Sequence, residues 1–272
     1  MAKPKLALIP ATQGSKLYSV LPADGVGDFT FSRNSAATRI NKDGLIETVA
    51  SGKSRLNYPL IDGVVNGCPS HLLEPERRNL ITYSEDFSNS SWIKTRSSIV
   101  SNNEISPDGT QNADKLIEDT TASNTHQNQH NVTVGNVSIT TSVFIKADTR
   151  SRIRVQLSDL TTGDYRIDLN LNNGSVLENN GGSRGSWTNT SYKIENFPNN
   201  WYKISLTATK GAGTQASLGL ALLDDNGNSS YTGDGTSGIY IWGAQLEQGS
   251  FPTSYIPNYG TALGVTRSAE TA

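Results

Sequence analysis

The sequence predicts an all-β chain built around an antiparallel sandwich, and three observations carry that expectation. Apolar residues make up only 35% of the 272 positions. With a mean hydropathy of -0.44, they fall in short runs rather than helical stripes. Asn, Ser, Thr and Gly dominate the remainder, and these residues favour turns, caps and strand edges over helix interiors. Strand-length runs also recur between turn signals such as Pro107-Asp108-Gly109, Asn172-Asn173-Gly174, Asn179-Asn180-Gly181-Gly182 and Asp225-Asn226-Gly227. A helical bundle or a doubly wound α/β enzyme would show neither feature.

Three regions differ in texture. In residues 1–78, Pro10, Pro22, Pro59, Pro69 and Pro75 rule out a long helix. A turn over 23–28 precedes an alternating strand, Phe29-Thr30-Phe31-Ser32-Arg33, and Lys42-Asp43-Gly44 marks a second turn. The short apolar clusters here predict extended arms that bury themselves against other chains. Residues 79–257 form the main body. Its expected strands are Asn79–Tyr83, Ser138–Ala147, Arg152–Ser158, Tyr165–Leu171, Trp201–Thr209, Ser217–Leu223 and Gly238–Glu247, with one short helix over Asn112–Ile117. In the last strand Ile239, Ile241, Gly243 and Gln245 share one face. Tyr240, Trp242, Ala244 and Leu246 share the other, expected to be the core face. The tail, 258–272, is polar and is expected to reach toward a neighbour.

A formal charge of -2 gives no broad basic field for nucleic acid. The nearest basic feature, Arg150-Ser151-Arg152-Ile153-Arg154, places three arginines on one strand face. Cys68 is the single cysteine, which excludes an intrachain disulfide framework and Cys-cluster zinc motifs, and suits synthesis in a reducing cytoplasm. Lys5–Pro10 is too short for a signal segment, and no run reaches membrane-spanning length, so no membrane insertion is expected. There is no G-x-S-x-G elbow, no P-loop and no solenoid-period repeat.

The main body opens with Leu73-Glu74-Pro75-Glu76-Arg77-Arg78-Asn79-Leu80-Ile81-Thr82-Tyr83-Ser84-Glu85-Asp86-Phe87, and Trp92 follows. It closes with residues 231–247, ending Gly238-Ile239-Tyr240-Ile241-Trp242-Gly243-Ala244-Gln245-Leu246-Glu247, and then Thr253-Ser254-Tyr255-Ile256-Pro257. This pairing resembles a widespread group of phage virion proteins, of tail-fibre, head-fibre or spike type. The stretch from Lys16 through Phe31 to Leu45, with Ser35-Ala36-Ala37-Thr38-Arg39, is similar to their N-terminal part. The resemblance implies a jelly-roll β-sandwich of the concanavalin or carbohydrate-binding-module type. It implies that residues 1–78 attach to other virion proteins or to sister chains, with a trimer as the expected oligomer. It also implies a place on the virion after synthesis in the bacterial host cytoplasm, and contact with host surface glycan.

Aromatic faces suit the apolar faces of sugar rings, so the tryptophans are the first candidates. Trp201-Tyr202 and Trp242 are expected in the core. Trp187, in the Gly-rich run 181–187, is the best candidate for a displayed ligand-binding ring, with Tyr165 and Tyr192 as companions. Jelly-roll modules often hold a structural Ca²⁺ between their terminal strands, and Glu85, Asp86 and Glu247 are the carboxylates available. The closing strand carries Trp242-Gly243 where related modules often place acids, so no cofactor is expected. His126 and His130 would suit a metal on a helix, but their Asn/Gln-rich segment is not helical in character. Asp224-Asp225-Asn226-Gly227-Asn228 reads as a hairpin turn, since the position of an EF-hand's closing Glu is Gly235. Three functions compete. A fibre that binds host glycan would show clustered exposed aromatics. A capsid decoration or adaptor would show purely structural contacts. A glycan-degrading enzyme would show two facing acids in a groove.

Overall fold

The computed structural model describes residues 11–13, 16–18, 31–161, 163–181, 185 and 187–271. The turn expected over 23–28 and the start of the Phe29–Arg33 strand lie outside these residues. The described chain begins with short hairpins and bridges. They are β1 (Ala11–Gln13) with β2 (Lys16–Tyr18), β3 (Ala37–Ile40) with β4 (Ile46–Val49), then β5 (Leu56–Asn57), β6 (Leu60–Ile61), β7 (Val64–Val65) and β8 (Ser70–His71). Next come β9 (Arg77–Asn79), β10 (Trp92–Thr95), β11 (Ser97–Glu104), β12 (Ala113–Glu118), β13 (Gln127–Thr133) and β14 (Ser138–Ala147). They are followed by β15 (Arg152–Ser158), β16 (Asp164–Asn170), β17 (Ser175–Asn179), β18 (Thr188–Phe197), β19 (Trp201–Thr209), β20 (Gln215–Leu222), β21 (Gly238–Gln248) and β22 (Val265–Arg267).

Two six-stranded antiparallel sheets make the sandwich. The front sheet runs β10-β13-β20-β15-β16-β17 and the back sheet β11-β12-β21-β14-β19-β18. The non-sequential order is that of a jelly roll, in which neighbouring strands are supplied alternately from distant parts of the chain. Alternation sets the faces: Ile153, Val155 and Leu157 on β15 and Leu218, Leu220 and Leu222 on β20 point inward and are fully buried. Each such side chain contributes roughly 1.5–3 kcal/mol by leaving water.

The helix expected over Asn112–Ile117 is instead strand β12, with Leu116 opposite Ile239 of β21. Its residues favour helix individually, but a helix this short cannot hold itself, whereas β21 offers every backbone group a partner. The segment expected as strand Asn79–Tyr83 is strand only at its first residue. It still lies beside the last strand, through Leu80 N–H to the Leu246 carbonyl (2.8 Å) and Ala244 N–H to the Ser84 carbonyl (2.8 Å).

Strand β21 does not keep one core face. Ile239 and Ile241 sit in the sandwich core before Gly243, and Ala244 and Leu246 sit there after it. Tyr240 and Trp242 face a second cluster on the outer side of the back sheet. The cause is a bulge: the pairing with β14 shifts between Ser142 and Phe144, and Gly243 adopts φ +62°. A β-carbon there would lie 3.0 Å from the Phe144 ring.

That second cluster gives the arm, expected to bury its apolar residues against other chains, contacts within its own chain. Ile46, with Ile40 and Leu60, packs on Phe144, Phe197, Trp201, Trp242 and Tyr255, so the described part of the N-terminal region covers the chain's own back sheet. The tail also folds back. β22 pairs with β9, and Thr271 exchanges backbone hydrogen bonds with Ser32 at 3.0 and 3.2 Å. Arm and tail meet in a buried ionic clasp. Glu270 receives Arg33 at 2.7 Å and Arg55 through both its oxygens, and Glu74 receives Arg55 at 2.9 Å and Arg267 at 3.0 Å. Arg33, Arg55, Arg267 and Glu270 have fully buried side chains, so the pairing answers the cost of desolvating them.

Candidate functional site: a polar trough on the front sheet

Beyond Gln215 at its exposed start, the outward-pointing residues of β20 are small, Ser217, Gly219 and Ala221, and lie buried beneath their neighbours' side chains. Their neighbours are long and polar. Register places Gln129 of β13 and Gln156 of β15 on either side of Gly219, Gln127 and Arg154 on either side of Ala221, and Asn131 and Ser158 on either side of Ser217. Small residues on a central strand between long ones make a trough about 10 Å across, two strand spacings wide. Gly219 has no side chain to contribute to the sheet. Within a strand, such a residue often marks close approach by another molecule. A β-carbon added there would have the Gln156 side chain as its nearest neighbour, at 3.7–3.9 Å, an ordinary van der Waals contact.

One wall of the trough is an amide row. Gln127 donates to Gln129, and Gln129 to Asn131, each at 3.3 Å. The opposite wall leads into a charged band. Arg154 makes a bidentate pair with Asp168, 2.7 Å on both branches, and also donates to Ser229. Arg166 reaches Glu178 at 3.2 Å and Asp164 at 3.5 Å. The hydrogen bonds that Arg154 donates to Asp168 hold its guanidinium above its ordinary pKa. Three cations, Arg152, Arg154 and Arg166, stand among three anions, Asp164, Asp168 and Glu178, so the face carries no net formal charge. Carboxamides and guanidinium groups offer paired donors and acceptors of the kind that vicinal hydroxyls can satisfy.

The expected aromatic site is not displayed. Trp187 is 4% exposed, packs in the sandwich core and donates its indole N–H to the Gly163 carbonyl at 3.2 Å. Tyr165, 1% exposed, points into the same core from β16, and burial pushes its hydroxyl up to about 12. Both are corrected: a Gly-rich approach does not expose a ring when the next strand turns it inward. Tyr192 is exposed, on β18 at the far edge of the other sheet. Trp201 and Trp242, expected in the core, are each 1% exposed.

The suggested calcium carboxylates have separate tasks. Glu85 accepts from the hydroxyls of Tyr255 and Tyr259 and from Asn112. Asp86 caps the turn at Ser88 and Asn89, and Glu247 binds Thr253 with Arg77 at 3.7 Å. Among the described residues no group of three metal-ligating side chains comes together. His130 lies on strand β13 with its Nε2 2.9 Å from Thr82, and His126 immediately before that strand approaches the Arg96 carbonyl at 2.8 Å. Asp224 closes its hairpin by accepting from Asn226 and Asn228. Of the arginines expected on one face, Arg150 is held by Glu118 and Arg154 by Asp168. Burial raises Asp114 to about 6, a value a catalytic acid could use, but both its oxygens accept backbone N–H groups, from Phe87 and Asn102, and it is 1% exposed.

Sequence reasoning missed the trough, although the run Ala216-Ser217-Leu218-Gly219-Leu220-Ala221-Leu222 signals it, with every outward position small. No family profile matches the chain, and no curated protein matches it. Two solved structures share part of the architecture. One is TmCBM61 in complex with β-1,4-galactotriose, with TM-score 0.39 and 9% identity over 63% of this chain and 99% of that one. The other is the CBM22-1–GH10 portion of Clostridium thermocellum xylanase 10B with xylohexaose, with TM-score 0.33 and 15% identity over 68% of this chain and 30% of that one. At these overlaps the likeness carries no argument, and the jelly-roll sandwich is read from the strand pairing itself.

Proposed function

We propose that the chain is a non-catalytic subunit of a bacteriophage particle, of fibre or spike type, that binds host surface glycan along the front-sheet trough. The carrying observation is Gly219, set between the facing carboxamides of Gln129 and Gln156 on the sheet opposite the one that the described part of the arm packs against. The phage assignment rests on the sequence resemblance at the two ends of the body. Attachment to the particle and trimer formation belong to the same reading.

The test is binding of purified full-length protein to polysaccharide extracted from host cell surfaces. Gln129→Ala combined with Gln156→Ala is expected to weaken binding at least about tenfold while the melting temperature stays within a few degrees, since half-exposed polar substitutions cost little stability. Binding unchanged by the double substitution sinks the site. A second reading, a decoration protein with purely structural contacts, is favoured by the burial of all four tryptophans. Particles that lack the protein and still adsorb normally to host cells would support it.

A further inference from the structure

We propose that Asn66 is a site of spontaneous covalent modification, at which the asparagine closes on Gly67 through a cyclic imide and reopens as aspartate or isoaspartate. The site lies in the arm, between β7 and β8, so it stands apart from the glycan reading of the front sheet.

The chemistry needs only the chain and water. The Gly67 backbone nitrogen gives up its proton and attacks Cγ, the carbonyl carbon of the Asn66 side chain. A C–N bond forms, the Cγ–Nδ2 bond breaks, and the amide nitrogen takes up the proton and leaves as ammonia. Water then adds to either carbonyl of the imide and breaks its bond to the ring nitrogen. One opening leaves aspartate in an ordinary chain. The other leaves isoaspartate, whose backbone runs through the former side chain. Nothing is oxidised or reduced. Glycine permits the attack, since it puts no β-carbon beside the nitrogen and reaches backbone angles closed to other residues. The attack also needs a nitrogen that is not already donating, on a backbone free to turn.

The sequence holds four Asn-Gly steps, and the fold treats them differently. Gly174 N–H donates to the Asn170 carbonyl at 2.8 Å, and Asn173 Oδ1 accepts from Ser175 N–H at 3.0 Å. A β-carbon on Gly174 would lie 2.8 Å from the Tyr202 ring, so that turn is also packed from outside. Gly181 N–H donates to Asn179 Oδ1 at 2.9 Å. The Asn180 amide beside it is tied at both ends, accepting from Arg166 N–H at 2.9 Å and donating to the Asp164 carbonyl at 3.1 Å. Gly227 N–H donates to the Asp224 carbonyl at 2.9 Å, inside the hairpin that Asp224 closes. Gly67 differs. Among the described residues its N–H meets no acceptor, and the Asn66 side-chain amide has no hydrogen-bond partner. Asn66, Gly67 and Cys68 are exposed one after another. A β-carbon on Gly67 would have the Pro59 ring as its nearest neighbour, at 3.8 Å. The anchor nearby, Asn66 N–H to the Pro59 carbonyl at 3.0 Å, holds the preceding peptide and leaves the reacting one free.

The experiment incubates full-length protein in mildly alkaline buffer, native and in denaturant, and follows each Asn-Gly step by peptide mapping with mass spectrometry. In the native protein Asn66 is expected to convert at least about tenfold faster than Asn173, Asn180 or Asn226, the factor that one protecting backbone hydrogen bond supplies. In denaturant the four should convert at similar rates, which assigns the difference to the fold. Both aspartate and isoaspartate should appear at position 66, and the rate should rise with pH as the Gly67 nitrogen loses its proton more readily. Equal native rates at the four steps, or a slower Asn66, would overturn the proposal. So would aspartate alone, the product of direct hydrolysis without the imide. An Asn66 lead that persists undiminished in denaturant would move the cause to local sequence and overturn it as well.

Discussion

Trp187 shows how much a single side chain's surroundings decide. Its flanking glycines suggest display, yet the ring fills the end of the sandwich core and its N–H is satisfied by Gly163. Trp187→Ala is therefore expected to cost about 3–5 kcal/mol, measured by chemical denaturation, like other buried aromatics. A loss below about 1 kcal/mol would return Trp187 to the surface. Asp114 gives a second residue-scale prediction. Its folded pKa, raised to about 6, exceeds its unfolded value near 3.8, so the native state holds a proton that the unfolded chain has released. Stability from this group falls as pH rises from about 4 to 6. Asp114→Asn should remove that slope from a plot of denaturation midpoint against pH. The composition could not announce either fact, because both depend on which strand lies opposite.

At the scale of elements, strands with alternating apolar residues were legible: Ser138–Ala147, Arg152–Ser158 and Trp201–Thr209 have their expected bounds. Among the strands that escaped, β11, β13 and β18 are polar on their outer faces and rich in Asn, Gln, Ser and Thr, so the period-two apolar signal is missing. The reversal of faces in β21 was hidden because one left-handed glycine moves every later side chain across the sheet. The arm's packing on its own chain was hidden for a related reason: its apolar clusters are too small to make a core, but the outer face of the back sheet supplies the rest. The clasp that fastens arm to tail gives the element-scale prediction. Glu270→Ala leaves buried Arg33 without its carboxylate and Arg55 with Glu74 alone, and should cost about 3–5 kcal/mol in denaturant unfolding. The guanidinium groups beside Glu74 and Glu270 hold both carboxyls below their ordinary values. Their stabilisation is thus fully present above the unfolded carboxylate pKa, near 4.3, and is lost as pH falls through the lowered folded values. Hydrogen exchange should show the arm loosening first on acidification, and an arm that stays protected in folded Glu270→Ala protein would contradict the clasp.

Across the whole molecule the two sheets have different fates. Among the described residues the arm packs on the back sheet and meets the tail where Ser32 and Thr271 pair, while the polar side chains that flank the front-sheet trough, Gln129, Arg154 and Gln156, are half-buried. In the proposed function the covered side faces the particle and the open side faces the host. Gly219 is the hinge of that account, because it lies at the middle of the trough, between Gln129 and Gln156, where a larger side chain stands between the two carboxamides. The most direct measurement compares Gly219→Val with the unaltered protein for binding to host surface polysaccharide, with thermal unfolding measured in parallel. The predicted result is binding lost while stability is kept or raised by roughly 0.5–1 kcal/mol, since glycine is a poor strand residue. Full binding by a stably folded Gly219→Val protein would contradict the account.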